Sequence, residues 1–165
     1  MRTTYNAGIL LQRAMANDPS VAGAERRMFP ARLEILPETA AFVETWCVGR
    51  DVGAGDALRL ALIVEELVTN TVLHGHDGVA DAPGAAVALT LVPHPRGIAL
   101  VYEDAAPPWD PTSRLADAHA PLENEVEARA VGGLGLRLVG QLTAAAQYAY
   151  EDGWNRLRLV VEATA

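Results

Sequence analysis

The chain has 165 residues, of which 50% are apolar and 21% charged, and this composition indicates one globular domain with a hydrophobic core. Its net charge of −8 opposes binding to nucleic acid or to an anionic membrane, so neither is an expected partner. The single cysteine excludes an internal disulfide, and the chain lacks a run of about 20 apolar residues that would span a membrane, so we expect a cytoplasmic protein.

The N-terminal part is predicted to be a tail of unknown role over residues 1–27, ahead of a domain over residues 28–165. One short helix is expected near residues 6–16. The tail could order against the core, cover a partner surface or remain detached. The alternating pattern of residues 28–35 predicts a first strand, and its Pro30 indicates an edge position.

Two helices are predicted next. Pro37 suits the first turn of a helix that continues over residues 38–47. Asp56 is the expected N-cap of a longer helix over residues 57–73, which Gly75 ends. The apolar face of the longer helix comprises Leu60, Ile63, Val64, Leu67, Val68 and Val72.

The second half of the chain is predicted to be mainly β-structure. After a turn-rich connection at residues 79–84, the predicted elements are strands 86–92, 97–103, 146–150 and 156–161 and a helix over 134–142. Residues 105–133 form a long irregular loop, which is typical of a functional or mobile segment. The element order predicts an α+β two-layer sandwich, with a mixed, mostly antiparallel sheet and helices on one face.

The long helix carries the most informative pair of side chains. Glu66 and Asn70 lie one helical turn apart, so both can reach one site. Glu66 could orient a water or take a proton, and Asn70 offers an oxygen to a hard cation. His74, one turn further, is more typical of a helix cap.

Two later segments supply what a nucleotide would need beside that pair. Asp104 ends an apolar strand, where its carboxylate could accept a hydrogen bond from an exocyclic amine, although a solvated strand-end acid is the alternative. Residues 132–136 read Gly-Gly-Leu-Gly-Leu ahead of a helix, whose N-terminus suits phosphate. The Walker phosphate loop is absent because the chain has no lysine. The candidates for a local basic cluster that holds an anion are the arginines at positions 129, 137, 156 and 158.

Taken in order, these motifs resemble the Bergerat-fold (GHKL) ATP-binding module, and most closely the anti-sigma-factor serine/threonine kinases of the RsbW and SpoIIAB type. The resemblance covers roughly residues 28–162. The matching segments are Phe29-Pro30-Ala31, Glu66 through Asn70 with His74-Gly75, Asp104 through Pro111, and Gly132 through Leu136.

The resemblance implies a role for each matching residue. Glu66 would be the general base, Asn70 would hold Mg²⁺ between the phosphates of ATP, and Asp104 would read the adenine amine. Residues 112–131 would form a lid over the nucleotide. The other implied nucleotide-binding positions are Gly133, Gly135 and Leu136 along the phosphates, Asn155 near the adenine, and Ala106.

Ala106 departs from the family pattern, which usually has glycine at this position. If the backbone there needs a positive φ or must touch the base, alanine weakens nucleotide binding. The resemblance therefore implies either an ATP-dependent kinase that phosphorylates an antagonist protein and binds a sigma factor, or a catalytically weak or nucleotide-free partner-binding module of the same fold. A homodimer is a further expectation. A histidine kinase fragment and an unrelated α+β domain are the remaining alternatives.

Overall fold

A five-stranded sheet forms one layer of the molecule. The computed structural model describes residues 22–75, 84–119 and 133–164. The strands follow the order β1-β2-β3-β5-β4, and every neighbouring pair is antiparallel. Their bounds are Glu25–Pro30 (β1), Ala86–His94 (β2), Gly97–Asp104 (β3), Ala145–Glu151 (β4) and Trp154–Glu162 (β5).

The helices form the second layer. Their bounds are Leu36–Val48 (α1), Ala54–Asn70 (α2), Thr112–Ala116 (α3) and Gly133–Leu142 (α4), with short 3₁₀ turns at Leu33–Ile35 and Asp117–His119. One turn of π-helix, Thr71–Gly75, continues α2. The predicted α+β fold, with helices on one face of a mostly antiparallel sheet, is confirmed.

The core lies between the helices and one face of the sheet. Alternate strand residues such as Leu89, Leu100 and Leu159 point into it and are fully buried. They pack against the apolar side of α2, where Leu60 and Ile63 are fully buried as well. This packing fixes α2 across the sheet and so determines where its polar side chains emerge.

The first strand differs from the prediction. It spans Glu25–Pro30 rather than residues 28–35, and residues 33–35 form a 3₁₀ turn. Pairing continues only to the hydrogen bond that the Ala31 amide donates to the Ala85 carbonyl, after which the chain turns away. The predicted edge position of Pro30 is confirmed, because β1 is the terminal strand of the sheet.

The predicted N-cap of the long helix is wrong. Gly53 is the N-cap of α2, and its carbonyl accepts the hydrogen bond from the Ala57 amide. Asp56 lies in the first turn, where its carboxylate accepts hydrogen bonds from the backbone amide and hydroxyl of Thr164 and from Arg59. The residue therefore joins the helix to the C-terminal end of the sheet instead of capping the helix.

The long loop predicted over residues 105–133 contains structure. Helix α3 and the following 3₁₀ turn occupy residues 112–119 and pack on α4. At Gly140 of α4, an added methyl group would overlap the Leu115 carbonyl oxygen, so the glycine permits this close approach. The rest of the predicted lid, most of the tail and most of the 79–84 connection lie outside the described residues.

Candidate functional site

A cavity of about 370 Å³ opens between the end of α2, the end of β3 and the N-terminal half of α4. Its volume is in the range of small-molecule sites in proteins. Asn70, Asp104, Ala106, Leu136 and Asn155, all predicted to be nucleotide-binding residues, line it. One cavity therefore brings together predicted positions that are far apart in the chain.

Asn155 holds the end of β3 and the segment after it in place. The register of β5 on β3 places Asn155 opposite Asp104, and Asn155 Nδ2 donates to Asp104 Oδ1 at 2.8 Å. The same Nδ2 lies 3.0 and 3.1 Å from the carbonyl oxygens of Ala106 and Pro107. Only 6% of Asn155 is exposed. Its amide nitrogen is thus directed at the protein.

The oxygen of the Asn155 amide has protein partners too. Asn155 Oδ1 accepts hydrogen bonds from the Trp109 amide at 3.0 Å and from the Tyr148 hydroxyl at 2.7 Å. Since both ends of the side chain are used, Asn155 positions Asp104 and the chain up to Trp109. The predicted polar contact of Asn155 with adenine stays a prediction.

A second chain of hydrogen bonds reaches Asp104 from the helix side. The hydroxyl of Tyr102 donates to Thr71 Oγ1 at 2.7 Å, and Thr71 lies 3.4 Å from Asp104 Oδ2. Burial, reinforced by the negative charge of Asp104, raises the pKa of Tyr102 well above its usual value. Tyr102 is therefore a neutral donor at physiological pH, and Asp104 is held from two sides.

Ala106 occupies a backbone conformation open to any L-residue. Among the described residues other than glycine, only Asp51 and Asp152 have positive φ. The Ala106 amide donates to Asp104 Oδ1 at 3.0 Å, and its methyl group faces Gly75. A methyl group added at Gly75 would lie 2.9 Å from the Ala106 Cβ. The alanine is thus accommodated by a glycine across the cavity wall.

Glu66 lies at the N-terminal end of α4. A methyl group added at Gly135 would overlap the Glu66 carboxylate, which shows that this carboxylate packs against the first turn of α4. Glu66, Gly133 and Gly135 do not line the cavity. The partly exposed Glu66 therefore sits beyond the cavity, in the positive end of the α4 dipole.

Asn70 connects the cavity with Glu66. Its Nδ2 donates to the Glu66 carbonyl at 2.8 Å, which leaves Oδ1 as the atom that can bind a cation or accept a further hydrogen bond. Four residues correspond to a rise of about 6 Å along the helix. Asp104 and Asn70 thus share the cavity, and Glu66 lies one helical turn from Asn70, beside the start of α4.

The cavity is also lined by Trp109, Arg114 and Tyr148, to which the motifs assigned no individual role. Trp109 is 48% exposed, and the guanidinium carbon of Arg114 lies 5.8 Å from the centre of its ring. Tyr148 also lines the cavity, and burial raises the pKa of its phenol. Arg114 belongs to the predicted lid. Its position as an arginine between the two motifs was the sequence feature that could have identified it as a candidate site residue.

Two of the four arginines proposed to hold an anion lie elsewhere. Arg156 binds Glu103 at 2.8 Å, and Arg158 lies 4.0 Å from Glu151, both on the face of the sheet opposite the helices. Arg137 lies on α4, and position 129 is outside the described residues. Among the described arginines, Arg114 lines the cavity.

The fold and this arrangement of residues define a nucleotide-binding α+β domain. A family model described as "Histidine kinase-like ATPase domain" matches residues 29–161, and the chain belongs to that family of ATP-binding domains. No curated protein matches the chain. No helix within the described residues is long and apolar enough to cross a membrane.

The residues present fit ATP and Mg²⁺. The cavity is lined by the Asp104 carboxylate, whose orientation is fixed by hydrogen bonds and which suits an adenine amine. The cavity also reaches Leu136 in the first turn of α4, and the N-terminus of a helix suits phosphate. Within the described ranges, no group of three or more histidine, cysteine or acidic side chains could bind a metal ion. Mg²⁺ commonly uses few protein ligands together with phosphates and water, and Asn70 Oδ1 would be a protein ligand for it here.

Proposed function

We propose that the protein is a Mg-ATP-dependent serine/threonine kinase of the anti-sigma-factor type, which phosphorylates an antagonist protein and controls transcription by exchanging partners. The observation that carries the proposal is that Asp104 and Asn70 line one cavity, while Glu66 lies one helical turn from Asn70 and beside the start of α4. This arrangement suits the adenine and phosphates of ATP in the cavity and an acceptor hydroxyl at Glu66.

Each residue has a defined task in this proposal. Asp104 would accept a hydrogen bond from the adenine amine, and Asn70 Oδ1 would hold Mg²⁺ beside the phosphates. Mg-ATP, when bound, supplies the phosphoryl group and neutralises its charge. Glu66 would accept the proton of the acceptor hydroxyl while the hydroxyl oxygen bonds to the γ-phosphorus of ATP. The bond from that phosphorus to ADP breaks, and ADP leaves. Positioning by the protein supplies most of the catalysis.

The location of Glu66 favours a protein substrate. Its carboxylate lies outside the cavity and is partly exposed, so a hydroxyl presented by another protein can approach it. The proposed protein partners are a sigma factor and an antagonist of the anti-sigma factor, and both would be met in the cytoplasm. A homodimer is compatible with this scheme.

The test separates nucleotide binding from phosphoryl transfer. Mg-ATP binding is measured by calorimetry for the parent chain, for Asp104→Asn and for Glu66→Gln, and transfer of label from ATP to a candidate antagonist is measured in parallel. We expect Asp104→Asn to lower affinity at least tenfold. Glu66→Gln should retain binding and lose transfer by at least a hundredfold. Failure of the parent chain to bind Mg-ATP would refute the proposal.

The alternative is a partner-binding module of the same fold without transfer activity. It is favoured by the contact of Glu66 with Gly135, because the carboxylate lies against α4 and not in the cavity. This alternative would be established if the protein binds Mg-ATP and binds its partner tightly but shows no phosphoryl transfer that depends on Glu66.

A further inference from the structure

The two edges of the sheet differ in how they are protected against the addition of another strand. Edge strands of native proteins commonly contain charged residues or proline, which prevent such pairing. On β1, three of the six residues are charged, and Pro30 at its end has no amide donor. The sequence of β4, Ala-Ala-Gln-Tyr-Ala-Tyr-Glu, contains no proline and a single charge at its last position. Another strand can therefore be added at β4.

The free edge of β4 is accessible. Ala145, Gln147, Tyr150 and Glu151 are exposed, and among the described residues no strand pairs with β4 on the side away from β5. The register of β4 with β5 continues without a break from Ala145 to Glu151. A strand with this uninterrupted pairing presents a regular row of backbone donors and acceptors along its free edge.

The turn between β4 and β5 determines which backbone groups lie on the free edge. Asp152 and Gly153 both have positive φ, as in a two-residue type I′ turn. The residues that flank such a turn, here Glu151 and Trp154, exchange backbone hydrogen bonds, and every second pair along the ladder does the same. The residues of β4 between these pairs direct their N–H and C=O groups away from β5, and they are Ala146, Tyr148 and Tyr150.

These three residues are arranged symmetrically about Tyr148. If two copies of β4 lie antiparallel about a two-fold axis at Tyr148, this residue faces its own copy, and Ala146 faces Tyr150 of the second copy. All three residues then form hydrogen-bonded pairs. With the axis one position earlier or later, one of the three would face a residue outside the strand. The backbone therefore favours one register of self-pairing.

The side chains suit the same register. Tyr150, which is 45% exposed, would lie beside the small Ala146 of the second copy, so this pair is not crowded. The single charge of the strand, at Glu151, would face Ala145 and not another carboxylate. A second copy of the chain therefore matches the free edge of β4 in hydrogen bonding, in side-chain size and in charge.

We propose that β4 pairs antiparallel with β4 of a second copy, about a two-fold axis at Tyr148, and joins the two sheets into one. Tyr148 connects this interface with the cavity, since it lines the cavity and its hydroxyl donates to Asn155. Association of the two copies thus restrains the wall of the cavity. The inference does not depend on nucleotide binding or on phosphoryl transfer.

Disulfide formation in the full chain tests the register. In the proposed dimer, positions 147 and 149 of the two copies face each other with Cα atoms about 4.5 Å apart, whereas the two copies of position 147 are about 7–8 Å apart, which exceeds the span of a disulfide. Gln147→Cys and Ala149→Cys are oxidised separately and as an equimolar mixture in a glutathione buffer, and linked peptides are identified by mass spectrometry. Cys47 is buried, so the parent chain gives the background.

We expect the mixture to form at least tenfold more linked dimer than either variant alone, with position 147 joined to position 149. Links that join two copies of position 147, or two copies of position 149, in excess of this product would reveal a different register and overturn the proposal. Folded variants that form no linked dimer above the background would overturn it as well.

Sedimentation equilibrium measures the self-association itself. Gln147→Glu/Ala149→Glu places carboxylates opposite each other at two points of the dimer and should weaken association about tenfold. Gln147→Glu/Ala149→Lys is the matched control, because the facing positions then have opposite charges and association should be retained. Circular dichroism verifies that both variants are folded. A parent chain that stays monomeric at every concentration measured, or equal association of the two variants, would overturn the proposal.

Discussion

Asn155→Ala is the most informative single substitution in the site. The variant removes the donor that orients Asp104 and the acceptor that holds Trp109 and Tyr148. A 6% exposed amide is replaced by a methyl group, so water from the adjacent cavity can restore only part of the lost bonding. Both the stability and the shape of the cavity should therefore change.

The expected loss of stability follows from the bonds removed. The hydrogen bond to the charged Asp104 contributes about 1.5–3 kcal/mol, and each neutral bond contributes about 1 kcal/mol before water compensates. We expect a decrease of about 3 kcal/mol in the free energy of unfolding, which corresponds to roughly 6–12 °C in Tm for a chain of this size. Because Asp104 loses its fixed orientation, Mg-ATP affinity should fall about tenfold, which is about 1.4 kcal/mol.

Urea unfolding and calorimetric titration with Mg-ATP measure the two effects separately. Tyr148→Phe is the matched control, since it removes one hydrogen bond to Asn155 Oδ1 and should cost about 1 kcal/mol with little change in affinity. If the free energy of unfolding of Asn155→Ala lies within about 0.5 kcal/mol of the parent value, the hydrogen bonds of Asn155 do not stabilise the fold. A large loss of stability with unchanged affinity would disprove the link from Asn155 through Asp104 to adenine.

Three further outcomes are expected. Burial raises the pKa of Asp56, but hydrogen bonds from Thr164 and Arg59 outweigh this and lower it, so its stabilisation is present above about pH 4 and is lost as the pH falls through the folded-state value; the difference in unfolding free energy between the parent and Asp56→Asn, about 2 kcal/mol at pH 7, should shrink toward pH 3 in urea titrations. Gly75→Ala should lower Tm because its methyl group would meet Ala106, and Gly75→Ala/Ala106→Gly should restore it; equal Tm values for the single and double variants would contradict this. Gly135→Ala should displace the carboxylate that packs there and reduce phosphoryl transfer at least tenfold while circular dichroism remains unchanged, and undiminished transfer would argue against the assigned base.

Local signals in the sequence were sufficient for the hairpins and for α1. A short connection between two apolar runs required β2 and β3 to pair as neighbours, and their register confirms the pairing. Pro37 lies in the first turn of α1, as proline geometry favours. By contrast, the role of Asp56 depends on Thr164, which is 108 positions away in the chain, and local capping preferences carry no information about that contact.

In the candidate site as well, some features follow from the local sequence and others from contacts between distant parts of the chain. The motif positions Asn70 and Asp104 could be predicted because each has a recognisable neighbourhood in the chain, and the cavity contains both. The use of both ends of the Asn155 amide could not be predicted, because it follows from the register that sets β5 against β3 and from the path of the chain to Trp109. The packing of Glu66 against Gly135 likewise depends on how α4 lies on α2.

Ala106 departs from the motif without straining the backbone. Alanine was expected to weaken nucleotide binding if the backbone required a positive φ, but Ala106 is not among the described residues with positive φ. The remaining cost is steric, and Gly75 removes it by presenting no side chain to the alanine methyl. Since Ala106 still donates its amide to Asp104, the substitution changes the wall of the cavity without releasing the carboxylate. The positive-φ reason for expecting weaker nucleotide binding therefore does not apply to Ala106, whereas the effect of its methyl group on a base in the cavity stays a prediction.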